Sequence, residues 1–405
     1  MDLKSGYPFW RVTNGLLGVY PSLQRDIECE IAVIGGGVTG ALIAHHLVEA
    51  GLSTVLLDKR EFGWGSTAAS TALLQYELDV PLHELARSFG ESHAVRCYRV
   101  CLEAIGKLER LTKKLHSPCG FKRRSSLYLA SRRRDAKVLR AEHAIRVRNG
   151  FRVELWTPAE IEAAFPFRRP AALFTRDAGQ VDPYRLTHAL IRRATNLGLR
   201  AFDRTEITRN RNLGRGGGRS GVELGTARGC RIRARRVVYA TGYETQEMLK
   251  QRGTHLRSTY GLVSEPIDDF TGWHKRCLIW ESSRPYLYLR TTEDGRAIVG
   301  GEDTSFDNAF ARDALLGKKT RKLEKRFRKL FPDIKLETAF SWGGTFADTQ
   351  DGLPYIGEHP DYQNAIFALC YGGNGTPFGI VAADIVRDIC LGRPNKDAYL
   401  FAFDR

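Results

Sequence analysis

The chain has 405 residues, 42% of them hydrophobic, and its 62 basic and 46 acidic side chains leave a formal net charge of +16. That length and apolar content suit an ordinary globular chain with a sizeable core and two domains. No run of about 18 apolar residues is present, which excludes a hydropathic membrane span, and the polar opening MDLKSGYPFWRVTNG lacks the apolar core of a signal peptide.

The cytoplasm is therefore the expected compartment. Cysteines 29, 97, 101, 119, 230, 277, 370 and 390 contain no C-x-x-C pair, so neither a disulfide framework nor a zinc site is expected; they read as reduced, mostly buried thiols, and no metal is expected. The basic excess could suit an acidic partner. Its arginines, however, are scattered through stretches such as SRRRDAKVLRAEHAIRVRNG (131–150) without interleaved aromatic platforms. A solvated high-pI surface is the main reading, and nucleic acid is an unlikely partner.

In chain order, the first element with chemical content is IAVIGGGVTGALIAHHLVEAGLSTVLLDK, residues 31–59. Residues 31–34 read as an apolar strand, and Gly35, Gly37 and Gly40 form G-x-G-x-x-G in the turn that follows. Gly35 permits the turn, Gly37 lets the backbone approach a pyrophosphate, and Gly40 lets the helix pack on the strand. A helix over 38–50, beginning with Val38 and Thr39, points its N-terminal N–H groups at that phosphate and stops at Gly51. A second strand, 53–57, ends in Asp58, 18 residues beyond Gly40, where a carboxylate can bind the two hydroxyls of an adenosine ribose. Lys59 and Arg60 could suit the 2′-phosphate of NADP, but Asp58 would repel it. NAD and FAD remain open at this point. His45 and His46, on the first helix, read as structural.

GWGSTAASTALL (63–74) supplies Ser66, Thr67 and Ala68 directly after the second strand, suited to an extended cofactor lying across the sheet. Residues 82–115 carry one long amphipathic helical pattern, with Cys97 and Cys101 four apart among Val100, Ile105 and Leu108 as core. GQVDPYRLTHALIRRATNLG (179–198) opens another helix. Ile207 follows, then the low-complexity stretch RNLGRGGGRSG (211–221), read as an exposed hairpin loop. RVVYATGYE (236–244) is a buried strand running into Thr241 and Gly242. RPYLYLRTTEDGRAIVGGE (284–302) reads as a hairpin turning at Asp294-Gly295. ALCYGGNGTPFGIVAADIVRDI (368–389) is a strand, a glycine loop and a helix.

These motifs, in this order, resemble the FAD-dependent D-amino-acid oxidase superfamily, which includes glycine, sarcosine and γ-glutamylputrescine oxidoreductases, from about residue 27 onward. The resemblance selects FAD. It implies an α/β fold, with a Rossmann-like FAD-binding domain at 26–82, 170–252 and 339–405 and a discontinuous α+β substrate domain at 83–169 and 253–338. It also implies that Gly372, Gly373, Asn374, Gly375 and Thr376 lie beside the isoalloxazine, with the following helix N-terminus aimed at the flavin N1 and C2 carbonyl, where reduced flavin is negative. The implied activity is oxidation of the C–N bond of an amine or amino acid by hydride transfer to flavin N5, the imine then hydrolysing. Oxygen, or a quinone or protein, would be the electron acceptor. A flavin-dependent enzyme of the tRNA-modifying kind and a non-catalytic flavoprotein are the alternatives.

Two departures bear on the substrate. Glycine and D-amino-acid oxidases carry a carboxylate-binding arginine in the stretch matching 345–347, where this chain has Thr345, Phe346 and Ala347; Trp342, Gly343, Gly344 and Asp348 look more like the γ-glutamylputrescine type. Sarcosine oxidases hold FAD through a cysteine near the position of Gly344, so FAD is expected to be non-covalent here. Tyr286, Tyr288 and Arg290 share one strand face by the two-residue period. If that face meets the flavin, Arg290 anchors a substrate carboxylate between the tyrosines; otherwise it is an ordinary exposed sheet face.

Overall fold

The computed structural model describes the chain except for residues 118, 215–220, 250–252 and 307. Two sheets organise it. The smaller runs Tyr355–His359, Tyr362–Leu369, Arg231–Tyr239, Ile27–Ile34, Thr54–Leu57, Arg200–Phe202, with Val222–Thr226 and Ile207–Asn212 attached beside Arg231–Tyr239. Its central strands pair in parallel, and Ile31, Ala32, Val33, Val55 and Leu56 are all fully buried. Parallel strands covered on both faces need such unbroken apolar runs. The helices Val38–Glu49, Pro183–Asn196 and Gly375–Cys390 supply part of that cover and share one core with it.

The larger sheet runs Lys4–Gly6, Thr338–Thr349, Thr254–Ser264, Ala297–Ser305, Leu287–Thr291, Leu278–Glu281, Lys122–Leu129, Ala172–Gln180, Leu73–Leu74, with Val153–Trp156 paired to Ala172–Gln180. Leu323, Phe327 and Leu330 of the helix Leu316–Leu330 pack on one face with Leu287, Leu289 and Val299. The opposite face, carrying Tyr286 and Tyr288, looks toward the smaller sheet.

The strands Leu73–Leu74, Ala172–Gln180 and Thr338–Thr349 pair into the larger sheet. Pairing partners decide sheet membership, and sequence order does not reveal them. The single helix expected over 82–115 is two, Leu82–Phe89 and Glu91–Lys114, broken at Gly90, whose φ of 84° no helix accommodates. Cys97 and Cys101 lie in the core. The hairpin turning at Asp294-Gly295 is present, Gly295 having φ 75°. Pro183–Asn196 begins at Asp182, whose carboxylate accepts the Tyr184 and Arg185 N–H groups at 2.9 Å, an N-cap followed by proline at the first helical position. The glycine-rich stretch joins two paired strands, but its residues 215–220 lie outside those described. Among the described residues, no helix is long and apolar enough to cross a membrane.

Candidate active site

A cavity of about 870 Å³ runs between the two sheets. One end is built by the glycine turn. Gly35 has φ 108°, and a Cβ there would lie 2.3 Å from the Ala240 carbonyl oxygen, so no larger residue fits. A Cβ on Gly40 already has the Gly35 oxygen 1.8 Å away. Gly40 therefore acts behind the cavity, closing helix onto strand, and does not line it. The Thr67 hydroxyl accepts the Val38 N–H at 2.9 Å, fixing the helix start against 66–69.

Asp58 lines this end and is half-buried. Its carboxylate accepts the Gly36 N–H at 2.6 Å and the Arg60 N–H at 2.7 Å. Burial pushes its pKa up to about 6, against the pull of those two N–H groups. Lys59 and Arg60 are both held by Glu244, at 3.1 and 2.7 Å, so neither is presented as a free phosphate ligand. Ser66, Ile207, Thr241 and Gly242 line the cavity as expected; Ala68 does not, being buried under it.

Midway, the loop before Gly375–Cys390 meets the segment around residue 77. Asn374 donates from its side-chain amide to the Gln75 and Glu77 carbonyls at 3.1 and 2.8 Å. Gly373 N–H donates to Asp79 at 2.8 Å, and a Cβ on Gly372, which has φ 83°, would lie 3.0 Å from that carboxylate. Gly375 and Thr376 also line the cavity, so the helix N-terminus is presented to whatever fills it. Cys370 lines it too, but burial pushes its thiol up to about 12. A thiol held in the protonated form is a poor nucleophile, consistent with a cofactor held without a covalent bond.

The far end is aromatic and charged. Tyr286 and Tyr288 line it with Trp280, Arg284, Asp79 and Asp303. Trp280 stacks on Tyr128 with ring centroids 3.8 Å apart, and the Tyr288 hydroxyl lies 3.1 Å from that of Thr259. Burial raises both tyrosine pKa values and pushes Asp303 up to about 6.

Arg290 is elsewhere. It shares the strand face of the tyrosines but is only 2% exposed, and one guanidinium nitrogen donates to the carbonyls of Thr71, Ala72 and Val181 at 3.0, 2.8 and 3.0 Å. The two-residue period assigned its face correctly and could not show that a neighbouring loop covers that end of the strand. The arginine that lines the cavity is Arg284, whose guanidinium carbon sits 3.5 Å over the Tyr286 ring. Sequence reasoning missed Arg284, Asp79, Trp280 and Asp303. The first keeps the parity of Tyr286 and Tyr288 but precedes the strand Leu287–Thr291, and the last is turned inward by a bulge.

A strand–glycine-turn–helix unit followed by the Asp58 carboxylate, joined by one cavity to an aromatic chamber on a second sheet, has the form of a dinucleotide-dependent enzyme that acts on a small molecule. The sequence model of the FAD dependent oxidoreductase family (DAO) matches residues 30–389, and the chain belongs to that family. Glycine oxidase of Bacillus licheniformis is 26% identical over 92% of this chain and 95% of its own. Gamma-glutamylputrescine oxidoreductase of Escherichia coli is 22% identical over 94% and 88%. The crystal structure of glycine oxidase from Geobacillus kaustophilus superposes with a TM-score of 0.78 at 21% identity, covering 93% of this chain and 99% of that one. The protein is thus an FAD-dependent oxidoreductase acting on amines or amino acids, and the glycine turn, Asp58 and the Asn374 loop fit that cofactor.

Proposed function

We propose that the chain oxidises the C–N bond of a small amine or amino acid to an imine, which water then hydrolyses. FAD, when bound, supplies the two-electron acceptor, at flavin N5. The observation that carries this reading is the single cavity joining the dinucleotide-binding turn to a chamber walled by Tyr286, Tyr288 and Trp280. The chain's own task is to hold the amine carbon in position and keep water away, which an aromatic chamber does.

With no arginine among Thr345, Phe346 and Ala347, a carboxylate on the substrate needs a cation from another element. Arg284, at the exposed rim and held by stacking on Tyr286, supplies one. Oxygen, or a quinone or protein, then reoxidises the enzyme. Anaerobic photometry of the FAD-loaded protein against amines and amino acids tests the proposal: loss of the flavin absorbance with at least one amine is expected, and a flavin that no amine reduces contradicts it.

A further inference from the structure

The strand Ala297–Ser305 breaks its own alternation beside the aromatic chamber. Up to Gly300 it is regular. Ala297 and Val299 join the core under Leu323 and Phe327, while Ile298 and Gly300 face the other way, where a Cβ on Gly300 would lie 2.1 Å from the Tyr288 ring. Continued alternation would send Glu302 into the chamber and Asp303 toward the helix Leu316–Leu330.

The pairing prevents this. Gly301 stands opposite Tyr260 and Thr304 opposite Ser258, so Glu302 and Asp303 together face Thr259 alone. This is a β-bulge, with Gly301 at φ 131° and Glu302 at φ 57°, a left-handed conformation that a non-glycine residue adopts only when its surroundings enforce it. Three cations enforce it here. Glu302 meets Arg326, Lys322 and Lys319 at 2.9, 3.4 and 3.5 Å. The bulge thereby exchanges the two faces, and Asp303 lines the cavity with Thr259, Tyr286 and Tyr288.

Asp303 arrives there without a counterion. Its Oδ1 is buried and has no hydrogen-bond partner among the described residues. The charged groups facing it are Arg284, Asp79 and Lys319, with the phenols of Tyr286 and Tyr288 beside them. Each charged neighbour is engaged elsewhere: Arg284 on the Tyr286 ring, Asp79 on the Gly373 N–H, Lys319 on the Glu302 carbonyl at 2.6 Å. A carboxylate held away from water with no counterion, and with the Thr259 hydroxyl alone beside it, is costly unless a ligand completes it.

The reaction proposed above supplies the ligand, and the inference rests on that reading. Amines reach an enzyme at neutral pH as ammonium ions, yet a hydride leaves carbon readily only when the adjacent nitrogen carries a lone pair. We infer that Asp303 binds the substrate's ammonium group and accepts its proton before the C–N bond is oxidised. The N–H bond breaks with its electron pair left on nitrogen, and the proton bonds to the Asp303 carboxylate. The C–H bond then breaks, its electron pair leaving with the hydride to the flavin, while the nitrogen lone pair forms the C=N bond. Burial lowers the ammonium pKa and raises the carboxylate pKa, narrowing the gap that the proton must cross. The aromatic walls favour the cation on arrival. The substrate class is therefore an amine bound as its cation.

The test uses FAD-loaded protein, wild type and Asp303→Asn, and two readouts. Tetramethylammonium, permanently charged and unable to lose a proton, is titrated against the flavin absorbance. Wild-type affinity should weaken about tenfold per pH unit below about 6 as Asp303 is protonated, and Asp303→Asn should bind weakly and without pH dependence. With an amine that reduces wild type, stopped-flow reduction should slow about a hundredfold in the variant and lose the acidic limb of its pH profile. Equal tetramethylammonium binding and an unchanged pH profile in Asp303→Asn overturn the inference while leaving the proposed function standing. If no amine reduces wild type, the proposed function fails and the proton transfer falls with it. Should Asp303→Asn not fold, wild type alone decides: tetramethylammonium affinity that is flat between pH 5 and 7 overturns the inference.

Discussion

The Asp58 carboxylate closes the glycine turn from the second strand, accepting the Gly36 N–H at 2.6 Å while its other oxygen takes the Arg60 N–H at 2.7 Å. One side chain thus orders the glycine-turn backbone and stands where the ribose of a bound FAD is proposed to lie. Asp58→Ala should weaken FAD binding by about 1–3 kcal/mol, the scale for losing hydrogen bonds to a charged group. The pH dependence has a definite sign. Ribose hydroxyls donate to the ionised form, so FAD lowers a pKa that burial has raised to about 6. Binding is then full strength above 6 and weakens as the pH falls through it. Fluorescence titration of apoprotein with FAD from pH 5 to 8 checks both points; unchanged affinity in Asp58→Ala would place the ribose elsewhere.

Arg290→Leu should act on stability rather than on catalysis. It strips a buried donor from the carbonyls of Thr71, Ala72 and Val181, and unpaired buried carbonyls cost about 1–3 kcal/mol each when nothing else reaches them. Thermal melts should show a fall of about 3 kcal/mol or more. Arg290→Lys should recover part of it, since an ammonium still donates but lacks the fork. A stable Arg290→Leu protein that binds FAD yet has lost amine-dependent reduction would return this residue to the substrate.

Asn374→Ala should loosen the fastening between the glycine loop and the 75–77 segment, because its amide donates to two carbonyls there. The expected outcome is about 1–3 kcal/mol of lost stability, together with a flavin absorbance spectrum displaced from wild type as the loop shifts. Differential scanning calorimetry with absorbance spectra of the loaded protein reads both. Unaltered stability would mean that the loop is held by the Gly373–Asp79 contact alone.

What the sequence disclosed was mostly local. Gly35, Gly37 and Asp58 follow from backbone requirements at fixed spacing, and the Asp294-Gly295 hairpin from turn chemistry. Tyr286 and Tyr288 reach the cavity because strand alternation holds that far. Arg290 misled because alternation assigns a face and says nothing of what covers it. Asp303 was invisible for the converse reason: a bulge enforced by Lys319, Lys322 and Arg326 of the helix Leu316–Leu330 reverses its face. The pairing of Thr338–Thr349 with Thr254–Ser264, some 80 residues earlier, was not legible, because no local pattern encodes it.

Oxidation of a C–N bond in the chamber beside the dinucleotide site leaves two products that can be counted. The most direct measurement is single-turnover anaerobic reduction of the FAD-loaded protein by the amine that bleaches it fastest, with quantitation of the carbonyl compound after quenching. Equal amounts of reduced flavin and of the aldehyde or keto product of imine hydrolysis are expected. Flavin reduced without any such product, or flavin that no amine reduces, would contradict it.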